Sequence, residues 1–157
     1  MTLWQRIAAQ SRYFLLWAGW RQPSIVDIES AVPMVPVTPL WTEWWMDLYF
    51  SFVKDGLLMP PQPVAFYSVR WYTAAFIPKR IITFTLPLNS ANPYSNKYIC
   101  IGGVWLPQGN AICLLDENVT NETVIRHEMT HALRQTGDHD PRYFNAKYGN
   151  YTGPQPL

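Results

Sequence analysis

Charge, cysteine, glycine and histidine are all in short supply in this chain. Charged residues make up 15% of its 157 positions, and 12 Lys and Arg against 11 Asp and Glu leave a formal charge of +1. With no basic stripe among them, this balance argues against nucleic acid as a partner. No apolar run reaches the roughly 20 residues that span a bilayer. Tyr13 to Trp20 is a short apolar stretch closed by Arg21, which does not make a clear signal peptide. The two cysteines, Cys100 and Cys113, fall on neighbouring candidate strands, so one disulfide and a pair of buried thiols are both open readings. The glycine pair Gly102-Gly103 matches no phosphate-binding fingerprint and marks a bulge or a close backbone approach. The three histidines, His127, His131 and His139, crowd into one short stretch.

Proline and aromatic residues are abundant instead. The chain has 14 prolines, with 8 Trp, 9 Tyr and 7 Phe. Large rings filling a small core, with prolines punctuating loops, is the preferred reading over an aromatic-lined binding surface. The length fits one domain, residues 1–157. Residues 1–20 form an amphipathic helix in this reading, with Trp4, Ile7, Phe14, Leu15 and Ala18 near one face. Packing on the domain is its expected role, and peripheral membrane contact is the alternative. Pro33, Pro36 and Pro39 mark an extended connector. A helix then starts from Thr38 as N-cap, runs to about Lys54 and closes at Gly56, with a stripe of Leu40, Trp41, Trp44, Leu48 and Phe52.

From Val64 the texture turns to β. Val64 to Tyr72, Arg80 to Leu86, Tyr98 to Leu106 and Ala111 to Leu115 read as strands, the last two as a hairpin over Pro107-Gln108-Gly109-Asn110. The expected fold is therefore α+β, a small, mostly antiparallel sheet with packed helices. Residues 145–157 form a C-terminal tail whose end is poorly ordered unless docked. Triplets of the form Asn-x-Ser/Thr begin at Asn118, Asn121 and Asn150, and matter for glycosylation only in a secreted chain.

The chemistry concentrates in Val124-Ile125-Arg126-His127-Glu128-Met129-Thr130-His131-Ala132-Leu133. Its apolar positions give a packing surface, Asn121 supplies an N-cap, Glu122 suits the first turn, and Gly137 can end the helix. Residues four apart on a helix are separated by about 40° and about 6 Å, so His127 and His131 share a face and their imidazoles can meet at one metal ion. His-Glu-x-x-His is the pattern of a zinc-holding helix in which the glutamate serves as base. A catalytic zinc has three protein ligands and an open position. No glutamate follows Glu128, so the third ligand comes from His139, the favoured candidate, or from Asp138 or Asp140. A tyrosine such as Tyr143, or Arg142, is placed by sequence to stabilise a developing oxyanion.

On His127, Glu128 and His131, with His139 by position, the chain resembles the zincin metallopeptidases, especially their compact single-domain members. It departs from the metzincins, which need Gly at 134 and His at 137 where this chain has Arg134 and Gly137, and no methionine follows Met129. The resemblance implies that the sheet is curled and precedes a zincin-like active-site helix near the C-terminus, and it implies a bound Zn²⁺, a peptide or protein substrate, and an edge strand at residues 111–115 that pairs with it. The alternative readings are a non-catalytic zinc-binding module and a membrane- or partner-associated protein working through the Trp-rich first half.

Overall fold

The computed structural model describes residues 3–4, 34–75 and 102–151. The expected helix over residues 1–20, the strand Arg80 to Leu86 and Cys100 lie wholly or almost wholly outside that range. Within it the fold is α+β. In chain order the elements are β1 (Val35–Pro36), α1 (Thr42–Lys54), β2 (Arg70–Ala74), β3 (Gly103–Leu106), β4 (Ala111–Leu115) and α2 (Glu122–Arg134).

The four strands lie in the order β1-β2-β4-β3. β1 runs antiparallel to β2, and β3 antiparallel to β4, but β2 and β4 are parallel along their full length, from Arg70 opposite Ala111 to Ala74 opposite Leu115. The sheet is thus mixed, and its longest ladder is the parallel one. The hairpin β3–β4 forms as its sequence predicts. Its turn is a short 3₁₀ segment, Pro107–Gly109, closed by Asn110 at φ 46°. Asparagine tolerates that left-handed conformation better than most residues. The β2–β4 pairing joins strands far apart in sequence, and no local turn signal announces it.

One expectation fails on this topology. Residues 111–115, taken as the substrate-pairing edge, are β4, which is hydrogen-bonded on both sides. Among the described residues the edge next to α2 is β3.

Helix α1 begins at Thr42, with Trp41 as a cap that supplies no side-chain hydrogen bond, and not at Thr38-Pro39 as the sequence suggested. Its end is as expected. Gly56 adopts φ 71°, its N–H donates to Val53 O, and Leu57 N–H donates to Phe52 O, the paired bonds that close a helix through a left-handed residue. The helix turns Trp45, Leu48 and Phe52 inward. Leu48 and Phe52 are wholly buried, each contributing roughly 1.5–3 kcal/mol of apolar burial.

Helix α2 is capped at Asn121, whose Oδ1 accepts from Val124 N–H at 3.4 Å. It stops at Arg134, earlier than Gly137 would place it. Gln135 takes the left-handed closing position at φ 55°. Its side-chain amide donates to Ala132 O at 2.6 Å and to Asn110 Oδ1 at 3.2 Å. Those two bonds offset the roughly 1–2 kcal/mol that a non-glycine residue loses there. Ile125, Met129 and Leu133, four residues apart, face the core. Val124 and Glu128 face the glycine pair of the hairpin. A Cβ on Gly102 would lie 2.8 Å from both Val124 methyls, and one on Gly103 would lie 3.2 Å from Glu128 Cγ. The glycines therefore serve close approach: they let α2 settle against β3. Arg126 ties α2 to α1 through Asp47 at 2.6 Å.

Candidate metal centre

Helix geometry alone brings His127 and His131 together. Their Nε2 atoms are 3.3 Å apart, and their ring centroids 4.9 Å. His139 arrives from the chain beyond the helix. The turn at Gln135 and Thr136 reverses the direction, Thr136 N–H donating to His131 O. His139 Nε2 then lies 3.1 Å from His127 Nε2. One ligand nitrogen from each ring falls within 4.8 Å of the others, so the three histidines can hold a metal ion. Tetrahedral coordination at Zn–N of about 2.0–2.1 Å puts ligand nitrogens about 3.3 Å apart, which matches the two close distances.

The tautomers strengthen this reading. His127 Nδ1 lies 2.9 Å from Asn150 O, and His131 Nδ1 lies 3.0 Å from Thr136 O. A carbonyl can only accept, so both Nδ1 atoms carry the proton and both Nε2 atoms present lone pairs. Two lone pairs facing each other at 3.3 Å in a buried place repel, and a cation between them removes the conflict. The donor set is also kept neutral. Burial, helped by the neighbouring imidazole of His139, lowers His127 to about 3. Burial lowers His139 to about 4 and holds His131 well below its ordinary range, with the other two imidazoles adding to the effect. Neutral imidazole is the metal-binding form.

Aromatic walls surround the three rings. Phe144 packs at 4.8 Å from the rings of His127 and His131 and 5.1 Å from His139. Trp105 of β3 lies nearly parallel to His131 at 6.5 Å, and its Nε1–H is held by Asn110 Oδ1 at 3.0 Å. Glu128 is buried beside this cluster. Burial pushes its carboxyl up to about 8, against a smaller downward pull from the hydrogen bond of the Trp105 backbone amide.

The remaining sequence candidates are engaged elsewhere. Asp138 pairs with Arg134 and accepts from Thr136 Oγ1. Asp140 pairs with Arg142 at 2.7 Å. Neither carboxylate joins the three-histidine cluster. Tyr143 is a core residue. Its ring packs on Phe52, the Arg134 guanidinium lies 3.9 Å over it, and its hydroxyl donates to Leu58 O. That hydrogen is not free for a reacting oxygen. Cys113 is a buried free thiol pushed up to about 12, chiefly by burial.

Sequence reasoning missed Asn150, Thr136 and Phe144. The first two act through backbone carbonyls, which no side-chain pattern advertises. The start of the expected tail is part of the folded unit: Tyr148 and Asn150 are buried, Asn150 completely. The glycosylation triplet at Asn150 is therefore a packing residue, and Asn121 is a helix cap. No family model matches this chain, and no curated protein or solved structure matches it either.

Proposed function

We propose that this protein is a zinc-dependent metallopeptidase of the zincin type, with His127, His131 and His139 holding the metal and Glu128 acting as the general base. The observation that carries the reading is the pairing of a neutral, convergent three-histidine set with a buried carboxylate on the same helix. A purely structural zinc site has no use for Glu128, whose burial is costly. The engagement of Asp138 and Asp140 with arginines also supports a centre with three protein ligands and an open position, the arrangement of catalytic zinc.

A zinc ion held there supplies Lewis acidity, polarising a carbonyl oxygen and acidifying water. The chain's own residues do the rest. A cation on His127 and His131 favours the ionised form of the adjacent Glu128, reversing the upward push of burial. Glu128 takes a proton from the attacking water and returns it to the leaving amine. The Trp105 amide hydrogen bond holds the carboxylate in place. Phe144 and Trp105 fix the imidazoles and keep bulk water from them.

The test is metal content with activity. Wild type, His139→Ala and Glu128→Gln are purified metal-replete, and zinc per chain and cleavage of a broad peptide library are measured. The expected result is one zinc in wild type, reduced occupancy in His139→Ala, and at least a 100-fold loss of cleavage in Glu128→Gln with zinc retained. Full activity in Glu128→Gln removes the base assignment, and stoichiometric zinc with no cleavage of any peptide favours the non-catalytic module.

A further inference from the structure

The carbonyl that fixes His127 belongs to Asn150, and it is held in place by an unusually complete clamp. Asn150 is fully buried. Its Nδ2 donates to Thr130 Oγ1 at 2.7 Å and to Tyr143 O at 2.7 Å. Its Oδ1 accepts from Asn145 N–H at 3.1 Å. All the side chain's strong hydrogen-bonding directions but one lone pair are thus used. Each partner sits on a different part of the site. Thr130 lies on α2 between the two helical ligands, and its hydroxyl donates to Arg126 O at 2.8 Å. Tyr143 precedes Phe144, the ring that walls the three imidazoles. Asn145 closes the segment on itself, since its own Oδ1 accepts from Lys147 N–H at 3.0 Å.

We infer that Asn150 is a positioning residue of the metal centre: its side chain locks residues 145–150 onto α2, so that its main-chain carbonyl holds the His127 Nδ1 proton and presents Nε2 to the metal. This rests on the three-histidine site holding zinc, and not on what the zinc then does. The side chain is needed because Asn150 lies beyond a single 3₁₀ turn, Ala146–Tyr148, closed by Gly149 at φ 66°, and no α-helix or sheet ladder fixes the direction of its carbonyl. An asparagine is needed because one amide must donate twice and accept once. By linkage, metal binding in turn orders the segment.

A second anchor in the same segment provides an internal control. Tyr148 donates its hydroxyl to Asp55 Oδ2 at 2.5 Å, and Lys147 Nζ pairs with the same carboxylate at 2.6 Å. These bonds tie the segment to the end of α1, away from His127. If general docking were all that mattered, cutting either anchor would weaken the metal site alike.

The experiment measures zinc affinity of the full chain by competition with a chromophoric chelator, and follows the His127 Nδ1–H proton by NMR. Asn150→Ala is expected to weaken zinc binding about tenfold or more, the range seen when outer partners of a metal-bound histidine are removed, and to lose the slowly exchanging Nδ1–H signal. Tyr148→Phe should stay within about threefold of wild type and keep the signal. Thr130→Val, which removes one partner of the clamp with little change of shape, should fall between them, and Thr130→Ser should restore the wild-type value. Thr130→Val and Thr130→Ser also carry the test if Asn150→Ala does not fold. Zinc affinity in Asn150→Ala within threefold of wild type, with the Nδ1–H signal kept, overturns the inference; so does an equal loss in Tyr148→Phe, and so does a wild type that binds no zinc. Zinc binding with the expected variant pattern but no peptide cleavage would overturn the peptidase reading alone.

Discussion

The two helices are each thirteen residues long and differ in almost everything else. Helix α1 is rich in large apolar and aromatic side chains, yet turns only Trp45, Leu48 and Phe52 fully inward, leaving Met46, Phe50 and Val53 exposed. Helix α2 is the more polar of the two in sequence, yet nine of its thirteen residues are buried, among them His127, Glu128, Thr130 and His131. A helix that buries polar residues on a second face forgoes stability there, because each group needs a partner or a neutral form. Helix α1 is built for packing. Helix α2 holds buried polar groups that packing alone would not select.

The largest effect that separates them is in the core of α1. Phe52 is wholly buried and makes edge contacts with Tyr143 at 5.5 Å and Tyr148 at 4.7 Å. Phe52→Ala should cost about 3–5 kcal/mol in chemical denaturation. Zinc affinity of the folded fraction should change far less than in His131→Ala, which removes one of the three clustered imidazoles. Equal losses of affinity in both variants would erase the distinction between a packing helix and a chemical one.

Helix α2 should show the opposite sign at Glu128. In the metal-free protein its carboxyl has a folded pKa of about 8, against an ordinary value of 4.5, because of burial. Between those values the folded state binds the extra proton, so stability is fully present below about pH 4.5 and falls as pH rises through 8. The three histidines act in the other direction. Their folded values lie below 6.5, so the unfolded state takes up protons first and stability is lost as pH falls below about 6.5. Glu128→Gln should therefore raise the metal-free Tm, by roughly 10 °C at pH 8 and by only about 2 °C at pH 5. A rise of the same size at both pH values would show that the ionisation of Glu128 is not the source.

What was legible in the sequence follows the same division. The start of α2, its cap at Asn121 and the convergence of His127 with His131 rest on periodicity and local capping, so they could be read directly. The hairpin was equally local, since Pro107 to Asn110 announces it. His139 was favoured over Asp138 and Asp140 because a chain reversal past the helix end would turn it back toward His131, and the structure brings it to the other two. The start of α1 misled because Thr38-Pro39 is a good local start signal, while the observed helix begins only at Thr42. Gln135 displaced Gly137 as the helix end because its amide finds two acceptors, one on a distant turn. The parallel β2–β4 ladder and the Asn150 carbonyl are non-local, and a carbonyl is common to every residue. Tyr143 was misjudged for a related reason: nearness to His139 in sequence says little about where a hydroxyl points, and this one points to Leu58 O.

Gly103 tests how closely α2 must approach the hairpin. A Cβ there would stand 3.0 Å from Cys113 O, 3.1 Å from a Leu114 methyl and 3.2 Å from Glu128 Cγ. The first contact is with backbone and cannot swing aside. Gly103→Ala should destabilise by about 1–3 kcal/mol, the usual cost of overpacking, and lower cleavage more than zinc affinity, because Glu128 rather than an imidazole is displaced. A variant with wild-type stability and activity would show that the sheet has slack at this point.

The smallest effect belongs on the outer face of α1. Phe50 is 59% exposed and meets the ring of its neighbour Tyr49 at 5.5 Å. Phe50→Ser removes little buried area and leaves no polar group without water, so stability should change by no more than about 0.5 kcal/mol. Zinc affinity should not move, since α1 supplies none of the three clustered histidines. Denaturation of Phe50→Ser beside Met129→Ser makes the contrast quantitative, because Met129 is wholly buried in α2 and its loss should cost about 2–5 kcal/mol. If Phe50→Ser instead cost more than about 1.5 kcal/mol, that face would be covered in solution. The apolar excess of α1 would then be packing on both sides, and the contrast would narrow to the polar residues of α2 alone.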